Sequence, residues 1–409
     1  MAVAPLLGDG IVMRILFVVH RYGIEVRGGA EGACRELATR LAARGHDVTV
    51  LTTRALGYRT WEPHYASGEE VLDGVRVVRL ENRVRDVEAF DRLHLRIERA
   101  DDPIATPLQA AWIEAQGPVV PDLPGWFADH APEHDVAVFL PYLYGTTTTG
   151  LPAASGRIPT VLVPCLHPEP PLRLHAFDEV ADLADLVAFL TPEEALLFRE
   201  RFRPRARSLV AGLGVDDHDH EPSAALPPEV GDKPFVLYLG RIDPSKGTDW
   251  LVDAFAQHRR RSPHDLRLVM AGDPVVTPPA TDGVILTGIV DDATRTALLR
   301  SARALVHPSP FESFSLVVME AWSERTPVLA TRSNDVLRGH LDRSGGGIGF
   351  DDANELSAAL DLLTEDIGLR DRLGIAGRLY VDRDHRWEAV LDRWERALRR
   401  ATNSGVGLR

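Results

Sequence analysis

RILFVVHRYGIEVRGGAEGACRELATRLAARGHDVTVLTT, residues 14–53, holds two short β-branched runs with one helix-period segment between them. Ala30, Ala33, Cys34, Leu37, Ala38, Leu41 and Ala42 recur at i, i+3, i+4, i+7 and i+8, and Gly45 stops the pattern. The flanking runs, ILFVV and VTVL, do not alternate apolar with polar residues. A strand that is apolar on both faces belongs inside a parallel sheet covered by helices on each side.

The same alternation runs outward along the chain. Strand-like runs fall at 74–80, 135–141, 159–165, 184–190 and 206–212, and again at 234–240, 266–272, 283–288, 302–309 and 326–331. Between the two series, 216–233 is rich in Pro, Asp and Glu and reads as a linker. At 409 residues the chain exceeds what one hydrophobic core usually supports. Two doubly wound α/β domains are therefore expected, at 1–215 and 216–384, followed by an amphipathic helical segment at 385–409. Met13 reads as the natural start and 1–12 as an upstream extension. The segment 100–134, with Trp112, Trp126 and Phe127, fits neither period and is left without an assigned element. In doubly wound folds ligands bind outside the carboxyl ends of the strands, so a cleft between the domains is the expected site.

Composition narrows the function. The net charge of −14 argues against nucleic acid, whose phosphates need Lys and Arg. It argues less against a membrane surface, for which one local basic face suffices. Seven arginines lie between Arg76 and Arg99, interleaved with acids as on a solvated surface. No apolar run approaches the roughly 20 residues of a bilayer span. Cys34 and Cys165 sit in apolar surroundings, as reduced thiols of a cytoplasmic protein do.

Five segments could carry chemistry. In GRIDPSKG (240–247), Arg241 and Lys246 flank a tight turn after a strand, where both could meet one anion; the alternative is two solvent-facing cations on a loop. The order of Gly, Lys and Ser excludes a Walker loop. In HPSPFESFSLVVMEAW (307–322), prolines hold off a helix until about Ser313 to Ser315. The first amides of that helix suit a phosphate. Glu312 then precedes the helix and Glu320 lies two turns in; read alone, they are a helix-start acid and a surface acid. Gly28 and Gly29 place backbone amides at another helix start. His167 falls just past a strand end, where α/β enzymes place polar groups. Asp217, His218, Asp219 and His220 have metal-ligand character, but they fall in the linker, where acids are usually solvated, and no metal is expected.

These segments together resemble the retaining glycosyltransferases of family 4, which have the two-domain GT-B fold. GGAE (28–31), RGHDVTVLT (44–52), GVD (214–216), GRIDPSKG, PSPFESFSLVVMEAW and the closing Trp-containing helix occur in the family's order. The glutamates spaced Glu-x7-Glu are its most specific mark. Where many members have Glu-Gly-Phe-Gly, this chain has Glu-Ser-Phe-Ser. The resemblance implies that Arg241 and Lys246 grip the donor diphosphate in the loop opened by Gly240, joined by the amides of Phe314 and Ser315. Glu312 would bind the donor sugar and Glu320 the ribose. His167 would contact the sugar from the first domain. Gly28 and Gly29 would face the phosphate or acceptor side, and Gly288 and Val290 the base. The last helix would cross back onto the first domain.

The implied reaction is transfer of a sugar from a nucleotide-diphosphate donor to a carbohydrate or lipid-linked acceptor, with retention and without metal or other cofactor. A non-hydrolysing nucleotide-sugar epimerase and a non-catalytic nucleotide-sugar sensor are the alternatives. The expected setting is the cytoplasm, with peripheral contact at the inner membrane face left open, as is the oligomeric state.

Overall fold

The computed structural model describes residues 12–26, 28–204, 206–217 and 224–404. They divide into two compact units, one ending at Ala211 and rejoined by Leu391 onward, the other running from Gly212 to Val390. The division falls four residues ahead of the expected 215/216 boundary.

The first unit is built on an eight-stranded sheet. Its strands are β1 (Arg14–Val19), β2 (Asp47–Thr53), β3 (Gly68–Leu72), β4 (Val75–Leu80), β5 (Val136–Leu140), β6 (Thr160–Leu162), β7 (Leu186–Phe189) and β8 (Arg207–Val210), in the order β3-β4-β2-β1-β5-β6-β7-β8. All pairs are parallel except β3 with β4. Every residue of β5 is buried, as is all of β1 after Arg14, as uninterrupted apolar runs require. The opening helix spans Gly29–Ala43 and turns out through Gly45 at φ 93°. The segment 100–134 carries two helices, Thr106–Gln116 and Leu123–His130, that bury Trp112 and Phe127 against this sheet's core.

The second unit has six parallel strands: β9 (Phe235–Leu239), β10 (Arg267–Ala271), β11 (Val284–Gly288), β12 (Leu305–His307), β13 (Val328–Thr331) and β14 (Gly347–Phe350). Their order is β11-β10-β9-β12-β13-β14. The order reverses at β9 and β12, so the loops that follow these two strands leave the sheet side by side at its switch point. Both functional loops predicted from the sequence are these.

The last helix, Trp387–Ser404, starts in the second unit and from Leu391 packs on the first. There Arg44 Nη1 reaches Asp392 at 2.7 Å and Glu395 at 3.0 Å, and Arg393 Nε donates to the Ala211 carbonyl. Among the described residues no helix is long and apolar enough to cross a membrane.

Within the second unit, residues 213–217 are fastened to the chain just ahead of this helix. The Val215 amide donates to His385 O, and His385 Nδ1 to Leu213 O. Asp217, weighed as a metal ligand, is paired with Arg378 at 3.0 Å and Arg386 at 3.2 Å. His218, Asp219 and His220 lie outside the described residues. A Cβ on Gly214 would stand 2.3 Å from the Trp387 ring. Gly214→Ala is expected to destabilise the protein by roughly 1–3 kcal/mol through overpacking, read from the midpoint of urea unfolding.

Candidate functional site

The loop after β9 is shaped by three glycines. Gly240 (φ 139°) and Gly272 (φ 152°) cross so closely that a Cβ on Gly272 would lie 1.8 Å from the Gly240 carbonyl oxygen. Ile242 then ties the loop to the next one, donating to Asp273 O and accepting from Val275 N. Asp243 caps the turn Pro244–Lys246 through the Ser245 amide, and Gly247 (φ 74°) starts the helix Thr248–Arg261. A Cβ on Gly247 would come within 2.8 Å of Pro308 O, so its absence lets this loop sit directly on the one after β12.

That contact brings the predicted residues together. Lys246 Nζ donates to Glu312 Oε1 at 2.9 Å and to Phe311 O at 3.0 Å. His307, the last residue of β12, places Nε2 3.4 Å from the same carboxylate oxygen. Burial alone would raise the Glu312 carboxyl, but Lys246 and His307 outweigh it and hold it well below the usual carboxylate range. Glu312 is ionised across the physiological range. Arg241 is more exposed, with Nε 3.3 Å from Asp243 Oδ2, while its carbonyl accepts from the Tyr238 hydroxyl. The Arg241 head thus reaches solvent beside the Lys246–Glu312 pair.

The helix after Glu312 spans Leu316–Ser323, beginning one residue past the predicted start. Ser315 is its N-cap, in the left-handed region at φ 68°. Neither the Phe314 nor the Ser315 amide donates to a partner among the described residues, which leaves two N–H groups at the helix mouth. The Phe314 ring is buried and its carbonyl accepts from His340 Nε2. Glu320 faces the helix Asp292–Ser301, where Arg295 Nη1 lies 3.3 Å from its Oε1. Val215, Thr296 and Ser323 complete the small recess around that pair. Trp322 locks the helix from behind: its indole N–H donates to Gly346 O, and a Cβ on Gly377 would fall 2.1 Å from its ring. Gly288 ends β11 at φ 69°, and half-buried Val290 follows just before the Asp291 cap.

In the first unit the helix start at Gly28 and Gly29 faces an anion that the chain supplies itself. The Glu31 carboxylate lies against Gly28, where a Cβ would be 2.2 Å from Oε2; beside Gly29 there is open space. His20 Nε2 donates to Glu31 Oε1 at 2.9 Å, and Arg21 Nη2 donates to the same oxygen. Tyr144 stacks on His20 at 3.8 Å. Burial holds His20 neutral by lowering its pKa. Burial alone would raise the Glu31 carboxyl, but His20 and the Arg21 guanidinium bring it down to about 2. His167 is half-buried, 3.9 Å from Glu169. The backbone beside it is pinned by Glu194, which accepts from Leu166 N at 2.8 Å and Leu190 N at 2.6 Å. Burial pushes the Glu194 carboxyl up to about 7, against the pull of those amides.

Sequence reading missed His307, Arg295, Asp243, Glu194 and the His20–Arg21–Glu31 cluster. Glu31 in GGAE, Asp243 in GRIDPSKG and His307 at the head of HPSPFESFSLVVMEAW all stood inside quoted motifs without being given a role. Thr191-x-x-Glu194 has the spacing of a capping box, which was the available signal for Glu194.

Residues 233–366 match the family model "Glycosyl transferases group 1". The chain is 26% identical over 397 residues to a glycogen synthase of Mycobacterium tuberculosis, covering 92% of each protein. It is 31% identical over 265 residues to the D-inositol 3-phosphate glycosyltransferase of Kribbella flavida, covering 58% of this chain and 61% of that one. Its fold matches the sucrose-phosphate synthase of Thermosynechococcus elongatus with a TM-score of 0.70 at 20% identity, over 96% of this chain and 100% of that one. The protein is thus a glycosyltransferase of the GT-B fold.

Glu31→Gln is expected to cost roughly 3–5 kcal/mol, because it breaks a buried ion pair from one side. The wild-type contribution is fully present above the ordinary carboxyl pKa of 4.5 and is lost as pH falls toward about 2. Denaturant titrations at stepped acid pH should show the stability difference between wild type and variant shrinking across this range.

Proposed function

We propose that the protein is a retaining, metal-independent glycosyltransferase that moves a sugar from a nucleoside-diphosphate donor to an acceptor hydroxyl. The observation that carries this reading is the Lys246–Glu312 bond, which joins a cationic loop to a helix mouth with two N–H groups to spare. Breaking the bond between the anomeric carbon and the diphosphate builds negative charge on the leaving group. Fixed cations and amides that need no reorganisation are suited to absorb it. Arg241 and Lys246, with the Phe314 and Ser315 amides around Gly240, take that part. Glu320 binds the ribose, and Gly288 and Val290 lie along the base.

Glu312 is engaged by Lys246 and His307, which makes it a poor nucleophile and a good acceptor for sugar hydroxyls. The reaction is therefore assigned to front-face attack: the acceptor oxygen bonds to the anomeric carbon, the diphosphate departs from the same face, and a leaving phosphate oxygen takes the acceptor's proton. His167 is assigned to the donor sugar, and the first unit to the acceptor. At Gly28 the nearest anion is Glu31, so acceptor-side contact is assigned to Gly29. A protein of similar fold, Anabaena HepE, solved in complex with UDP and glucose, supports the donor class. A cytoplasmic, carbohydrate-building role, with an acceptor that is a sugar or a lipid-linked sugar, completes the proposal.

A thermal-shift panel of UDP, GDP, ADP and dTDP with their common sugars tests the donor class. The true donor at 100 times its dissociation constant should add about 2.7 kcal/mol of stability. Arg241→Ala and Lys246→Ala should each lower donor turnover by on the order of 10²–10³-fold. Near-normal turnover in both variants would overturn the assignment.

A further inference from the structure

We infer that His307 is a positioning residue, which holds the sugar-facing carboxylate Glu312 and the strained helix-start residue Ser315 in one fixed geometry. The inference rests on the donor reading above for its consequence, but not for its geometry. His307 is 5% exposed, and its Nε2 lies 3.1 Å from Ser315 Oγ and 3.4 Å from Glu312 Oε1. A carboxylate only accepts, so Nε2 carries the proton, and Ser315 Oγ is its second acceptor. His307 Nδ1 is buried without a partner among the described residues, so the ring's polar contacts are all spent on this side.

Ser315 supplies an independent argument. Its φ of 68° costs a non-glycine residue on the order of 1–2 kcal/mol, and glycine would occupy the position freely. Strain of this kind persists where surrounding contacts over-determine it, commonly at functional sites. Here the compensating contact is the hydroxyl on His307. Lys246 pulls on the same Glu312 oxygen, at 2.9 Å, from the opposite loop. The carboxylate is thus held between two donors, one of which also fixes the residue whose amide opens the helix. Sugar recognition and phosphate recognition are coupled through a single imidazole.

The test combines His307→Gln, Ser315→Gly and Glu312→Gln. With UDP-glucose, or whichever panel donor stabilises the wild type, His307→Gln should lower the turnover number for donor hydrolysis on the order of 10- to 100-fold, as misplacement of a reacting group does. The dissociation constant of the free nucleoside diphosphate should stay unchanged. In a Glu312→Gln background the His307 substitution should cause no further loss, because its effect passes through that carboxylate. Ser315→Gly should raise the melting temperature while lowering turnover. Independently of any ligand, nitrogen-15 histidine NMR should find His307 as the Nε2–H tautomer and its signal should move in Ser315→Gly and Glu312→Gln. Unchanged turnover in His307→Gln, losses that multiply fully with those of Glu312→Gln, or an Nδ1–H tautomer would each overturn the inference. Failure of every nucleotide to bind the wild type, with the NMR result intact, would overturn the donor reading alone.

Discussion

A single ammonium group organises the second unit's site. Lys246 Nζ bonds both the Glu312 carboxylate and the Phe311 carbonyl, so a turn that starts a helix after β9 is stapled to the segment that starts another after β12. The staple closes only because Gly247 has no side chain to keep Pro308 away. It also gives Lys246 a defined position: its stem could otherwise sample many rotamers, which would be costly to freeze when a ligand arrived. Glu312, in return, is kept anionic despite its burial.

Much of this was legible in the sequence, and the illegible part has common physical causes. Strands buried on both faces announce themselves, and every run of that kind forms a strand. The two missed strands lack the signal. β3 reads GEEVL and is an exposed antiparallel edge, while β14 reads GIGF, four residues of which two are glycine, too short to show a period. The helices within 100–134 are introduced by prolines at 107 and 124 and bury their aromatic residues one at a time, which blurs a 3.6-residue pattern. The functional loops were recognisable from residue type and order. Their partners were not, since Lys246 meets Glu312 across 66 residues of chain and Arg295 meets Glu320 from a different helix. Glu312 has one basic partner within HPSPFESFSLVVMEAW, His307, and one outside it, Lys246, while Glu320 takes its partner, Arg295, from another helix.

The two units treat a helix start after a strand differently. In the second, the amides at Phe314 and Ser315 have no acceptor among the described residues. In the first, Glu31 turns back over Gly28, paired with the Arg21 guanidinium and hydrogen-bonded by His20, whose ring Tyr144 covers. The same element of architecture holds an anion from within in the first unit and, under the proposed function, takes one from outside in the second. The Gly-Gly pair did not distinguish these cases, because what decides is the side chain three residues on.

Trp322 limits how the helix that carries Glu320 can respond to a ligand. Its indole is keyed between Gly346 and Gly377, with its N–H spent on a carbonyl. The helix carrying Glu320 can neither roll nor slide by a residue without driving that ring into backbone. Under the proposed function, in which Glu320 binds ribose, adaptation to different nucleotides falls to the residues facing this helix, Arg295 foremost, while Glu320 stays a fixed reference point.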